Sequence, residues 1–179
     1  MLFGAIGGEE DPRKGADLLR AALPRVVEQT SWDGGVVADV LTFGGPPGVD
    51  RVAGVTVRSV GRLDDEGLRL YYSAADVMVV PSRQDNLPQT AVEPTTCGTP
   101  VVAFAIGGLP DIVQDKVNGR LVEPFDVEKL AEAIIWVLSD SERHARLSDA
   151  ARRHASRWDQ RRVGRQYADL LGALSGRSE

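Results

Sequence analysis

Three side chains stand out for what they could do together. Lys14 lies in the polar stretch GGEEDPRKG (7–15), and Asp85 and Glu93 are separated by seven residues at and after the stretch PSRQDNLP (81–88). A lysine is a compact cation suited to phosphate. A carboxylate accepts hydrogen bonds from hydroxyl groups. Both stretches run into an expected helix start, where unpaired N–H groups and the positive dipole end attract anions. An anion site beside hydroxyl acceptors fits a phosphorylated sugar or a nucleotide.

The elements that must position these groups can be read from hydrophobic periodicity. Short apolar runs at 1–6, 36–43, 55–60, 77–80, 101–104 and 120–122, several rich in valine, predict buried strands. Helical patterns lie between and after them. Asp11-Pro12 is a helix start, with an N-cap residue ahead of proline at the first helical position. Residues 64–75, 88–97 and 127–138 predict further helices, and two arginine-rich ones follow at 141–157 and 159–174. Glycine and proline clusters at 44–48 and 107–110, with Asn118-Gly119, mark turns. The alternation predicts an α/β fold, a Rossmann-like parallel sheet of about six strands with helices on both faces. Such sheets bind ligands outside the carboxyl ends of their strands, where the strand order reverses. Here that point falls between the first and fourth predicted strands, whose loops carry Lys14 and Asp85.

Composition excludes several alternatives. The chain has 179 residues, enough for one domain with a full core, here 1–174 with a loose tail at 175–179. One cysteine and two histidines leave no structural zinc site, and the lone Cys97 suits a reducing cytoplasm as a small packing residue. The net charge of −5 argues against nucleic acid as a partner. No apolar run reaches the roughly 18–20 residues of a membrane span. Neither the dinucleotide fingerprint G-x-G-x-x-G nor a P-loop is present, which argues against a nicotinamide enzyme or an ATPase. Eight arginines between 141 and 165 predict a solvated helical face, with contact to anionic lipid or another domain as the alternative. His144 and His154 are expected to be exposed, Asp76 to close a turn, and Trp136, Trp158 and Tyr167 to lie in a core or an interface.

The stretch PSRQDNLPQTAVEPTTCGTPVVAF (81–104) resembles the central motif of retaining glycosyltransferases of family 4, which have the GT-B fold of two Rossmann-like domains. Their signature is an acidic residue, seven residues, then glutamate, matched by Asp85 and Glu93 and followed by Cys97-Gly98-Thr99-Pro100. GRLDDEGLRLYYSAADVMVVPS (61–82), IGGLPDIVQDKVNGRLVEPFD (106–126) and RWDQRRVGRQYADLL (157–171) fit the same family. The resemblance implies the donor-binding half of a hexosyltransferase of bacterial type. It implies that Glu93 binds the ribose hydroxyls and Asp85 the donor sugar. Backbone N–H groups of Asn86, Leu87, Gln89 and Thr90 would hold sugar and phosphate. Lys14 would bind the diphosphate and stabilise its charge as the glycosidic bond breaks, and the main chain near Leu63 would touch the base. The nucleotide-sugar is then the donor substrate, with no organic cofactor and no metal. The partner implied is an acceptor-binding N-terminal domain absent from this chain. The parent enzyme would be cytoplasmic, with peripheral association at the inner face of the membrane as the alternative, and the chain alone inactive.

Three departures stand beside the match. Glu9 occupies the position, five residues before the lysine, where the family carries an arginine. Arg13 is the nearest replacement, but it points about 100° from Lys14 if both are helical. Asp85 is one methylene shorter than the usual glutamate. Pro94 falls inside the signature helix, where it removes a hydrogen bond and should kink the axis. The alternatives are a non-catalytic sugar-nucleotide-binding module, to which Glu9 and Pro94 lend weight, and a sugar-nucleotide epimerase. Val163, Tyr167, Leu170 and Leu174 form an apolar stripe on the last helix, expected to be exposed, displaced or packed on a neighbour without the missing half.

Overall fold

Strands β1 (Leu2–Gly4), β2 (Val40–Phe43), β3 (Gly48–Val52), β4 (Val55–Ser59), β5 (Met78–Val80), β6 (Val101–Phe104) and β7 (Gly119–Val122) form one sheet in the order β3-β4-β2-β1-β5-β6-β7. The computed structural model describes residues 1–4, 10–30 and 39–175. Every pairing is parallel except β3 with β4. The helices are α1 (Ala16–Thr30), α2 (Asp65–Ala74), α3 (Gln89–Cys97), α4 (Leu109–Ile112), α5 (Val127–Leu138), α6 (Ser141–Ala155) and α7 (Gln160–Ser175). The expected α/β architecture is therefore present, with one strand more than the pattern predicted.

Alternation along the strands divides the core into two layers. Phe3, Val79, Val102 and Phe104 face α1 and α5, packing against Leu19, Leu23, Val26, Leu130 and Ile134. Leu2, Met78, Val80, Val101 and Ala103 face the other way and pack with Tyr72, Val92, Leu109 and Ile112 from α2, α3 and α4. The central strands β5 and β6 have both faces covered, so their side chains are apolar at every position rather than at alternate ones. Fully burying a Val, Leu or Ile stabilises by about 1.5–3 kcal/mol.

The added strand β3 has no such signature. Its residues are exposed or half-buried throughout, so neither a continuous apolar run nor an alternation marks it. It pairs with β4 through a two-residue connection, Ala53 at φ 51° and Gly54 at φ 85°. Two left-handed residues in succession match the right-handed twist of a hairpin.

Helix starts follow their caps closely. The Asp64, Asp126 and Asp140 side chains accept from the N–H groups of Gly67, Lys129 and Arg143, which satisfies donors that a helix start leaves open. Asp11 is a correction. It caps only the single 3₁₀ turn Pro12–Lys14, because Gly15 then enters the left-handed region at φ 71° and α1 begins at Ala16. α3 continues through Pro94 to Cys97. The Thr95 and Thr96 hydroxyls donate to the carbonyls of Val92 and Glu93.

Both histidines are half-buried rather than exposed. His144 Nε2 lies 2.7 Å from the carbonyl oxygen of Asp76, tying α6 to the turn before β5. Burial, with Arg157 next in importance, pushes the His154 imidazole below its usual range. Trp136 is half-buried, with the guanidiniums of Arg120 and Arg143 over its ring at 4.8 and 4.3 Å. No residue of α7 is buried; Val163 is half-buried, and Tyr167, Leu170, Leu171 and Leu174 are exposed.

Candidate functional site

Lys14 and Asp85 are 71 positions apart in sequence and meet at 2.7 Å, Nζ to Oδ2. Their side chains are 23% and 14% exposed, so water screens the pair only in part. Ser82 Oγ approaches the same carboxylate oxygen at 3.4 Å.

What brings the two loops together is a set of contacts around Arg83. Its backbone N–H donates to the Arg13 carbonyl at 2.7 Å. Its guanidinium donates to the Pro12 carbonyl at 2.9 Å and to both Asp17 oxygens at 2.7 and 2.6 Å. The bidentate pair is a favourable geometry for a guanidinium and a carboxylate, and it holds the Asp17 carboxyl below its usual range. Gly15 completes the seam, since a Cβ there would sit 1.9 Å from the Pro81 carbonyl oxygen.

Behind the Asp85 loop lie Gly107 and Gly108. A Cβ at either position would stand 1.8 Å from the Asp85 carbonyl oxygen or 2.0 Å from that of Asn86. This glycine pair, legible in sequence only as a turn, is a close-packed support for the loop.

Arg13 does not join the ion pair. Its guanidinium returns to Asp11 at 2.7 Å, its side chain is 68% exposed, and its contact holds the Asp11 carboxyl below its usual range. Glu9, the other half of that question, lies outside the described residues. Asn86 and Leu87 are exposed at the tip of the loop. Gln89 and Thr90 open α3, whose start at Pro88 has no side-chain cap.

Beside α3 is a cleft of about 470 Å³, lined by Phe43, Gly44, Arg62, Leu63, Leu68, Tyr72, Gln89, Thr90 and Glu93. Four of these, Leu63, Gln89, Thr90 and Glu93, are candidates from the sequence. Lys14, Arg13, Asp85, Asn86 and Leu87 do not line it, so the candidates divide into an ion-pair cluster at the loops and a cleft along α3. Sequence reasoning missed Phe43, Gly44, Arg62, Leu68 and Tyr72. Two signals for them existed: Phe43-Gly44 ends a predicted strand, and Leu68 and Tyr72 share a helix face at a spacing of four.

Tyr72 forms part of the cleft wall. Its ring meets Phe43 edge-on at 5.8 Å, and its hydroxyl donates to Glu93 Oε2 at 3.0 Å. Burial, then the nearby Glu93 charge, pushes the phenol pKa well up, so it remains a donor. Among the described residues, no cluster of three or more His, Cys, Asp or Glu could hold a metal ion. No helix there is long and apolar enough to cross a membrane.

Comparison with known proteins accords with this architecture. The model of the family "Glycosyl transferases group 1" matches residues 51–154. The D-inositol 3-phosphate glycosyltransferase of Saccharomonospora viridis is 36% identical, over 93% of this chain and 41% of that protein. That of Thermobispora bispora is 34% identical over 84% of this chain and 38% of its own length. The chain thus spans well under half of these curated relatives. Among solved structures, the sucrose-phosphate synthase of Thermosynechococcus elongatus superposes with a TM-score of 0.75 at 31% identity, covering 96% of this chain and 45% of that one. Anabaena HepE in complex with UDP-glucose has a TM-score of 0.75 at 23% identity, over 96% and 48% of the two chains, a likeness of fold. The mostly parallel sheet flanked by helices is the one found in GT-B glycosyltransferases, and the chain belongs to the glycosyl transferases of group 1.

Proposed function

We propose that this chain is the donor-binding domain of a retaining hexosyltransferase, which moves a sugar from a nucleotide-sugar to an acceptor hydroxyl in polysaccharide, glycolipid or glycoside synthesis. The observation that carries the reading is the juxtaposition at the carboxyl ends of the central strands. A half-buried lysine paired with a carboxylate, an uncapped helix start and a carboxylate-bearing cleft are joined by α3. The base lies in the cleft against the main chain of Leu63, and the ribose hydroxyls donate to Glu93. The diphosphate meets Lys14 and the N–H groups at the start of α3, and the donor sugar meets Asp85. As the anomeric bond breaks, negative charge develops on the leaving diphosphate. A fixed cation and oriented N–H groups stabilise that charge without a metal. The fold shared with HepE, which binds UDP-glucose, supports the ligand class.

The acceptor belongs to a second domain of the parent protein. Holding both substrates in one geometry contributes several kcal/mol to a transfer reaction, and this chain supplies one wall of such a cleft. Calorimetric titration with UDP-, GDP- and ADP-sugars tests the reading. One nucleotide-sugar should bind more tightly than its free nucleoside, and no transfer should follow when acceptors are added to the chain alone. Absence of binding by all three classes sinks the proposal, and sustained transfer by the chain sinks the division of labour.

A further inference from the structure

The Glu93 carboxylate is held from one side only. Oε2 accepts the Tyr72 hydroxyl at 3.0 Å, while Oε1 has no hydrogen-bond partner among the described residues. Both residues line the cleft. Tyr72 itself is tightly placed: it is 2% exposed, it meets Phe43 at an interplanar angle of 80°, and its carbonyl accepts the Thr99 hydroxyl. A glutamate on a helix has three side-chain torsions to restrict, and a residue that fixes them in advance reduces the ordering cost of binding.

We infer that Tyr72 is a positioning residue that fixes the Glu93 carboxylate for a vicinal diol, holding one oxygen so that the other is turned to the ribose hydroxyls. The inference rests on the reading of Glu93 as the ribose acceptor, and deepens it. The phenol does not touch the nucleotide in this scheme; it acts through the carboxylate. Thr99 anchors it in turn, so the Gly98-Thr99-Pro100 turn is tied to the ligand cleft through Tyr72. The upward displacement of the phenol pKa by burial and by Glu93 keeps the donor proton in place throughout the neutral range.

Tyr72→Phe retains the ring and its packing and removes the hydroxyl. The probes are UDP and 2′,3′-dideoxy-UDP, titrated into the full chain, with the GDP or ADP pair substituted if either diphosphate binds more tightly. The unmodified chain should prefer the ribonucleotide. Tyr72→Phe should bind it roughly three- to tenfold less tightly, the loss of one hydrogen bond, and bind the dideoxy compound unchanged. A ribose preference undiminished in Tyr72→Phe overturns the inference and leaves the Glu93 reading standing. Equal losses for both ligands also overturn it, making Tyr72 only a wall of the cleft. If the unmodified chain shows no ribose preference, Glu93 is not the ribose acceptor and the inference falls with it. Failure of all three diphosphates to bind overturns the proposed function itself.

Discussion

Lys14→Ala separates the diphosphate contact from every other part of the proposed site. A charge-assisted contact between an ammonium and a phosphate contributes about 1.5–3 kcal/mol. Lys14 Nζ is already engaged, however, with Asp85 Oδ2 at 2.7 Å. A diphosphate must share or displace that partner, which offsets roughly 1 kcal/mol of the gain for a partly exposed pair. The net loss expected is about 0.5–2 kcal/mol, or roughly two- to thirtyfold in Kd for UDP or its equivalent. Uridine, which has no phosphate, should bind within about twofold of the unmodified chain by the same accounting.

The substitution also leaves Asp85 with Ser82 Oγ, at 3.4 Å, as its remaining side-chain contact, so a fall in stability of about 1 kcal/mol is expected. Asp85→Asn in the Lys14→Ala background should restore most of that stability while leaving diphosphate affinity low. Calorimetry supplies the affinities and thermal unfolding the stabilities. Affinity for UDP should fall with added salt in the unmodified chain, and less steeply in Lys14→Ala, because an exposed ligand charge is screened over about 10 Å at 0.1 M salt. Equal losses for uridine and UDP, or no loss for UDP, would refute the assignment of Lys14 to the diphosphate.

Three other outcomes are expected. Arg83→Asp should weaken diphosphate binding roughly two- to fivefold by releasing the seam between the Lys14 and Asp85 loops, and Asp17→Arg in the same chain should recover it by reversing the pair; failure of the swap to recover binding argues that the seam does not position Lys14. Gly107→Ala, at φ 51° with its Cβ 1.8 Å from the Asp85 carbonyl oxygen, should cost about 2–3 kcal/mol of stability, whereas Gly48→Ala, with nothing within 4 Å, should leave thermal unfolding unchanged. Because the Tyr72 phenol pKa is raised in the folded chain, its contribution to stability is complete below the unfolded value near 10 and is lost as pH rises beyond it; alkaline denaturation should therefore be shallower for Tyr72→Phe, and identical slopes would contradict the buried, Glu93-bound phenol.

How much of this was legible in the sequence depended on whether the information was local. The central strands could be read because both of their faces are buried, which makes β5 and β6 runs of apolar residues. α2, α5 and α6 could be read from their helical patterns, and each begins where an aspartate, Asp64, Asp126 or Asp140, accepts from backbone N–H. β3 could not, since exposure on both sides leaves its residues without a hydrophobic pattern. Asp11-Pro12 carried a genuine cap signal, but Gly15 ended the turn after Lys14, and the long helix began later. The motif separated Lys14, Asp85 and Glu93 from other charged residues, yet no local feature could show that Lys14 and Asp85 meet. Tyr72 was hidden for the same reason: its hydroxyl bonds a carboxylate 21 positions away. Arg13 was the opposite case, a cation whose partner, Asp11, lies two residues back and takes it out of the ion-pair cluster.

The position of the site follows from the order in which the sheet is built. β1 lies between β2 and β5; the chain moves outward from β1 to β2 and β4, then returns to the other side of β1 at β5. The connections leaving β1 and β5 therefore diverge to opposite faces, and a crevice opens between them at the carboxyl ends. Such a crevice has no sheet pairing to close it, so its loops need another source of rigidity. Here it comes from carbonyl contacts at Gly15, Gly107 and Gly108, where no side chain intervenes, and from Arg83, which bonds backbone and carboxylate across the gap. With the loops held in this way, the Lys14 side chain bonds Asp85, and the Asp85 carboxylate accepts from Lys14 and Ser82. The Lys14–Asp85 pairing keeps a half-buried cation from standing uncompensated in the crevice, where desolvation without a partner is costly. On the proposed reading the incoming diphosphate takes over that compensation and Asp85 becomes available to a sugar hydroxyl. Phosphate and sugar then bind as one event, and a nucleotide without its sugar leaves Asp85 without a new partner.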